Sequence, residues 1–283
     1  MSKNRPSIVF LMETKNNKAF LETVHRRLGF DASTYVDPVG LAGGLALWWK
    51  NEVSIDVEIS TKNIVHTVVT DKVNSSIWAS SFVYGCPSRD GRDQLWEELR
   101  CIGQSEMLPW LCMGDFNEVL SIGDKVGGNL PSQRRLSSFH EMLNACGLVD
   151  LGFKGPKYTW RNNRTDGGFI MERIDMAFAN SKWRELHDKA LVLVEAAIGS
   201  DHNPLILNTS FPLNKVVKPF CFESFWTTEE DCKSIITEAW LQDQLVDVQK
   251  KIEQEYKAEL VEIEKGLLCK LEDLWQKDAL FWH

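Results

Sequence analysis

The stretch "PWLCMGDFNEVL" at residues 109–120 decides how this chain is read. Leu111, Cys112 and Met113 form an apolar run that predicts a short buried strand, and Gly114 marks its end. Asp115 and Asn117 follow two apart, so an extended backbone carries both on one side. A carboxylate that only accepts hydrogen bonds then stands beside an amide that donates and accepts. Such a tip suits a polar ligand if the rest of the chain supplies partners. Taken alone, "GDFN" is also an ordinary turn.

Outward from this stretch, composition is that of a globular protein: 43% of the 283 residues are hydrophobic and 25% charged, which excludes fibre and disorder. The start of the chain carries no charged-then-apolar leader, and no run of apolar residues is long enough to span a bilayer. Seven cysteines (86, 101, 112, 146, 221, 232 and 269) are odd in number and without a CxxC pair. That pattern fits reduced thiols in an intracellular protein. The net charge of −8 lies wholly in residues 219–283, where 7 basic residues face 15 acidic ones. Residues 1–218 hold 25 of each, so their charge neither excludes a nucleic-acid partner nor announces one.

"SIVFLMETK" predicts a strand ending at Glu13, and "NKAFLETVHRRLGF" a helix stopped at Gly29. "GLAGGLALWWK", "VSIDVEIS", "NIVHTVVTD" and "SIWASSFVYG" follow as strands whose short connections imply antiparallel pairing. "DQLWEELRCIG" and "SQRRLSSFHEMLNACG" read as helices, with further strands at "GPKYTWRN", "ERIDMAFAN", "ALVLVEAA" and "PLILNTS" and a short helix at "SKWRELH". This alternation predicts an α/β fold, a four-layer α/β sandwich of two packed, mainly antiparallel sheets with outer helices. It is assigned to residues 1–211, a linker to 212–227 and an acidic helical tail to 228–283. In the tail, Ile252, Tyr256, Leu260, Ile263, Leu267, Leu271 and Leu274 recur at helical spacing. That stripe must fold back on the chain, stay mobile or mediate self-association.

Five polar positions end or border apolar strands: Glu13, Tyr84, the Asp115/Asn117 pair, Asp175 in "ERIDMAF", and Asp201–His202 in "SDH". Strand ends from one sheet meet on one rim, where carboxylates repel unless a hard cation or a shared proton intervenes. Oxygen donors without clustered Cys or His favour Mg²⁺ or Mn²⁺. With a water-activating carboxylate, the set suits in-line phosphodiester hydrolysis. Each residue also has a plain reading, as a solvated rim group, a turn former or a cross-strand charge pair. That reading has to be invoked separately five times.

The order Glu, Tyr, "GDFN", "RID", "SDH" resembles the endonuclease/exonuclease/phosphatase superfamily. "GLALWW", "VYGCP", "GLVDLGFKGPKYTWRNN" and "SDHNPLIL" narrow the resemblance to the endonuclease domain of plant LINE-type (non-LTR) retrotransposon polyproteins, over about residues 6–209. The resemblance implies that Glu13 binds the divalent metal, with Asp201 on the metal side, and that Tyr84 and Asn117 contact the scissile phosphate. It implies that Asp115 positions and deprotonates the water, that Asp175 orients His202, and that the His202 imidazolium stabilises the transition state. Thr159 takes a position where these nickases touch DNA. It also implies a nuclear setting and a DNA partner.

One departure concerns the start. Family members open with a strand of the "WNCRG" type upstream of the metal-binding Glu, whereas twelve residues precede Glu13 here, so the first family strand is expected to be missing and the chain truncated. The reading is a Mg²⁺-dependent endonuclease that nicks one DNA strand. Two others stay open: a catalytically inactive retroelement remnant of the same fold, and a phosphatase of small phosphate esters. The latter lacks a basic cluster near "SDH".

Overall fold

In a computed structural model, which describes residues 5–38, 43–162, 164, 168–210 and 230–281, the periodic runs of the sequence form elements as their spacing requires. The expected linker at 212–227 lies outside the described residues. The chain divides into two units, Met1–Leu120 with Pro131–Gly152 and Ile174–Asp188, and Ser121–Leu130 with Phe153–Arg173 and Lys189–His283.

The first unit opens with β1 (Ile8–Leu11), α1 (Lys18–Arg27), β2 (Ala32–Val36) and β3 (Leu45–Trp49). Both β1 and β2 pair antiparallel with β3, making a three-stranded sheet. Asn17 starts α1 by accepting from the Phe20 amide at 3.0 Å. Leu21 of this helix packs with Phe30, Ala46 and Trp48, so α1 covers one face of that sheet.

A second sheet follows, from β4 (Val53–Ser60), β5 (Ile64–Asp71), β6 (Ile77–Tyr84) and, after α2 (Arg89–Ser105), β7 (Trp110–Asp115). The helical crossover makes β6 and β7 parallel, while the other pairs are antiparallel.

The second unit supplies the two-residue strand β8 (Lys125–Val126). Back in the first unit come α3 (Gln133–Ala145) and β9 (Val149–Asp150); β10 (Trp160–Arg161) and β11 (Met171–Glu172) again belong to the second, and β12 (Asp175–Ala179) and α4 (Ser181–Leu186) to the first. The large sheet is six strands wide, in the order β4-β5-β6-β7-β12-β9.

One face of it, through Ala79, Val83, Cys112, Met176 and Phe178, packs on Leu95, Trp96, Leu99, Phe139 and Met142 of α2 and α3. On the opposite face Phe82 meets Phe10 of the small sheet, ring centroids 5.3 Å apart. The layers α1, small sheet, large sheet, α2 with α3 make the expected four-layer α/β sandwich. Cys112 and Cys146 are buried free thiols in its core. Burial pushes both up, Cys146 to about 11, so they are unreactive packing groups.

In the second unit β10, β11 and β8 form a three-stranded sheet, and β13 (Leu191–Val194) pairs with β14 (Leu205–Asn208). Two long helices follow, α5 (Glu230–Gln254) and α6 (Ala258–Phe281). The stripe from Ile252 to Leu274, which reads as one helix in the sequence, is carried by both, because the helix stops at Gln254. No breaker residue marks that point, and Gly266 lies inside α6. Instead Tyr256 leaves helical geometry to stack on Phe169, centroids 4.3 Å apart, and its hydroxyl donates to the Arg164 carbonyl at 3.4 Å.

The stripe is mostly covered within the chain. Leu241, Leu245, Val248, Ile252, Val261, Leu267 and Leu271 form one cluster with Phe169, Met171 and Ala196, while Ile263 stays exposed. Among the described residues, no helix is long and apolar enough to cross a membrane.

The α2–α3 face depends on stacked rings. Phe139 is fully buried, 4.8 Å from Trp96 and edge-on to Phe178 at 5.9 Å. Phe139→Ala is expected to cost about 3–5 kcal/mol in urea unfolding, from lost transfer energy plus cavity. A cost below about 1 kcal/mol would mean that these rings do not hold the helices to the sheet.

Candidate active site

Three neighbouring strands deliver the first group of polar residues at one level. β6 ends at Tyr84 and β7 at Asp115, paired in parallel register; β12 begins at Asp175, opposite Asp115 in antiparallel register. Residues in register share a face, so the phenol and both carboxylates project from the same side, at strand spacings of about 5 Å. That side is the one on which Phe82 meets the small sheet. Beyond β1, Glu13 completes the group: the Tyr84 hydroxyl donates to its carboxylate, which also pairs with Lys15 at 3.1 Å. The rim where the two sheets of this unit meet thus gathers Glu13, Tyr84, Asp115 and Asp175.

Close backbone approach makes this rim possible. Gly114 has φ 143°, and a Cβ there would lie 2.0 Å from the Val83 carbonyl oxygen. At Gly85 a Cβ would lie 2.1 Å from the Phe116 carbonyl oxygen. Only glycine fits where β6 and β7 end side by side. Past the strand, Asn117 takes φ 50°, a conformation that Asn tolerates. Its amide N–H donates to Asp115 Oδ1 at 2.7 Å, and its Nδ2 donates to Asp115 Oδ2 at 2.9 Å and the Gly85 carbonyl at 2.8 Å. Asp115 therefore receives hydrogen bonds on both oxygens, which fixes its plane.

The electrostatics separate the roles. Burial first, then the hydrogen bond to Glu13, pushes the Tyr84 phenol well above its ordinary range. Tyr84 thus stays protonated at neutral pH and serves as a hydrogen-bond donor. Asp115 and Asp175 are 3% and 4% exposed, which shields them from bulk water. The donors on this rim, Glu13, Asp115 and Asp175, are hard carboxylate oxygens, a set that fits a hard divalent cation.

Sequence reasoning overlooked the support beneath this loop. Glu118 is 2% exposed, and Arg135 of α3 donates to it twice, Nε at 2.9 Å and Nη2 at 3.0 Å. Arg92 of α2 approaches the same carboxylate at 3.5 Å, and its Nη1 donates to the Cys86 and Pro87 carbonyls at 3.0 and 2.7 Å. One buried anion thereby ties the loop after β7 to the loop after β6 and to the first turns of two helices. The available signal was a lone acid inside the apolar run "FNEVL".

The second unit brings together the other candidates. Trp160 bridges antiparallel to His202, and its indole N–H donates to Asp201 Oδ2 at 2.9 Å. The Arg161 amide donates to the Asp201 carbonyl at 3.2 Å, and the Asn203 amide to the Thr159 carbonyl at 2.7 Å. The His202 amide donates to Ser200 Oγ at 3.1 Å. Asp201, His202 and Asn203 are thus held along β10. Thr159, the position that the resemblance sets against DNA, is 1% exposed and supports this loop through its carbonyl; the half-buried Trp160 lies nearer solvent.

Comparisons with known proteins bear on the fold and the family. The profile of the family described as Endonuclease/Exonuclease/phosphatase matches residues 1–202. Among solved structures, the endonuclease domain of TRAS1, a telomere-specific non-LTR retrotransposon, is similar with a TM-score of 0.53 at 17% identity, over 72% of this chain and 98% of that one. The 3′ phosphatase NExo from Neisseria, bound to product DNA hairpin, gives 0.56 at 18%, over 74% and 91%. An AP endonuclease from Archaeoglobus fulgidus gives 0.54 at 17%, over 73% and 90%. These likenesses show the fold. No curated protein sequence matches the chain.

Glu118→Ala would leave Arg92 buried without its carboxylate, and is expected to lower stability by about 3–5 kcal/mol. Urea unfolding measures it. A loss under about 1 kcal/mol would show that the ion network does not hold the loop.

Proposed function

The chain belongs to the endonuclease/exonuclease/phosphatase family, and on that premise we propose that it is a divalent-metal-dependent DNA endonuclease that nicks one strand. The observation that carries this reading is the in-register row Tyr84–Asp115–Asp175 with Glu13 on the Tyr84 hydroxyl. It supports a reading in which Tyr84 donates a hydrogen bond, Asp115 activates water and the carboxylates of this rim ligate a metal. DNA is favoured over a small phosphate ester because no cluster of Lys or Arg stands in the sequence around "SDH" to hold extra phosphates. A DNA substrate would place the protein in the nucleus.

In this reading Glu13, with Asp201 on the metal side, holds Mg²⁺ or Mn²⁺, which when bound supplies positive charge to a phosphate oxygen. Asp115, its plane fixed by Asn117, orients the attacking water and takes its proton as the oxygen bonds to phosphorus. Tyr84 and the Asn117 amide donate to non-bridging phosphate oxygens. The bond from phosphorus to the 3′ oxygen breaks, and that oxygen leaves as a 3′-hydroxyl after taking a proton from solvent. Asp175 orients His202, whose imidazolium balances the charge that accumulates on phosphate in the transition state.

The test is nicking of supercoiled plasmid. Activity is expected with Mg²⁺ or Mn²⁺ and not in EDTA. Asp115→Asn and His202→Ala should each lower kcat by roughly 10²–10⁴, the range for losing a general base or a preorganised charge. Activity that persists in EDTA, or in both variants, would overturn the assignment. Phosphate release from inositol phosphates without nicking would favour the phosphatase reading instead.

A further inference from the structure

The helical hairpin α5–α6 has more to do than cover apolar surface. Its residues reach both ends of the short strand that holds the His202 loop. At one end Glu253 of α5 accepts from the Tyr158 amide at 3.1 Å. At the other, Arg161 forms an ion pair with Glu264 of α6, with side chains 12% and 3% exposed. Gln249 of α5 donates to the same Glu264 at 2.8 Å and to the Ala197 carbonyl at 3.5 Å. Gln249, Ile252 and Glu253 of α5 line a small cavity of about 20 Å³ together with Tyr158, Trp160 and Arg161.

The same four residues also hold the loop. Tyr158 accepts from Asn203 Nδ2 at 3.2 Å through its carbonyl, and Thr159 from the Asn203 amide. Trp160 holds Asp201 through its indole, and Arg161 holds the Asp201 carbonyl through its amide. Residues 158–161 are therefore bonded both to acids of the hairpin and to Asp201–Asn203. β10 is two residues long, and its ladder to β11 is two residue pairs. A ladder that short cannot fix the strand without help from its sides.

We propose that the α5–α6 hairpin is a positioning element of the candidate active site, with Glu253 and Glu264 as positioning residues that set the Asp201–His202 loop through Tyr158–Arg161. It rests on the reading that His202 takes part in the reaction. The acidic charge of this segment, which in the sequence looks like a solvated face, includes two carboxylates whose partners belong to the strand beneath the loop. Neither is placed to touch substrate. Their effect passes through the backbone of residues 158–161.

The experiment uses the full chain with Glu264→Gln and Glu253→Gln, each keeping side-chain volume, and reads two quantities. Amide hydrogen exchange of residues 199–204 is expected to speed up roughly tenfold in each, the scale set by losing a hydrogen bond to a charged group. Nicking kcat is expected to fall roughly 10–100-fold at unchanged KM, since a displaced group costs rate without weakening DNA contacts made elsewhere. Exposed Ile263→Ser on the same hairpin is the control and should move neither.

Two variants guard against one failing to fold. If Glu264→Gln melts, Glu253→Gln is read alone. Unaltered exchange at 199–204 in the folded variants would overturn the positioning role, whatever the nicking rate. Faster exchange in a protein that shows no metal-dependent nicking would keep the hairpin's hold on the loop while overturning the nuclease reading, and with it the catalytic meaning of that hold.

Discussion

Two carbonyl groups and two missing side chains set the geometry on which the rest depends. β6 and β7 run parallel and stop together, and at that point the Gly85 amide donates to the Asp115 carbonyl at 2.5 Å. The Val83 and Phe116 carbonyl oxygens come so close to Gly114 and Gly85 that any Cβ would collide with them. Because the two strands can end this close, Tyr84 and Asp115 leave the sheet side by side. β12 adds Asp175 at the same level through its own register. A bulkier residue at either glycine would push the strand ends apart and separate a phenol and a carboxylate whose proposed roles depend on adjacency.

Much of this was legible beforehand. The strand-tip residues announced themselves because a polar residue ending an apolar run is exposed to a site or to solvent, and five such tips are hard to explain singly. The α1, α2 and α3 helices followed from period and caps: Asn17, Ser88 and Ser132 each accept from an amide in the first turn. What the sequence hid were pairings at a distance. Glu118 looks like a loop acid until Arg92 and Arg135, 26 and 17 residues away, are folded onto it. The break between α5 and α6 lacks Gly and Pro because tertiary stacking of Tyr256 on Phe169 makes it, and no local preference records that. The burial of Thr159 was hidden for the same reason.

Charge was similarly ambiguous in one dimension. Summing residues 219–283 gives an acidic segment, and a uniform acidic face would simply repel DNA. Folded, the acids fall into different classes. Glu262 pairs with Lys265 at the surface, where screening leaves little net stabilisation. Glu264 sits buried on Arg161 and Gln249, and Glu253 on the Tyr158 amide, where burial raises its pKa and the amide opposes the rise. A net charge describes the first class and says nothing of the second.

The same device serves both groups of candidate residues. In each unit a buried carboxylate, Glu118 or Glu264, receives an arginine and helps to support a loop that carries candidate residues. As a source of stability the device is poor, because desolvation of both charges cancels most of their attraction, and an apolar pair of equal volume often does as well. Its advantage is direction. An apolar contact tolerates a shift of half an ångström, whereas a bidentate guanidinium fixes distance and plane together. Reactions at phosphorus require a nucleophile and a charge held in line, so orientation is the quantity to protect. Under the proposed function, the loops that Glu118 and Glu264 support are ones where a loose backbone would cost rate.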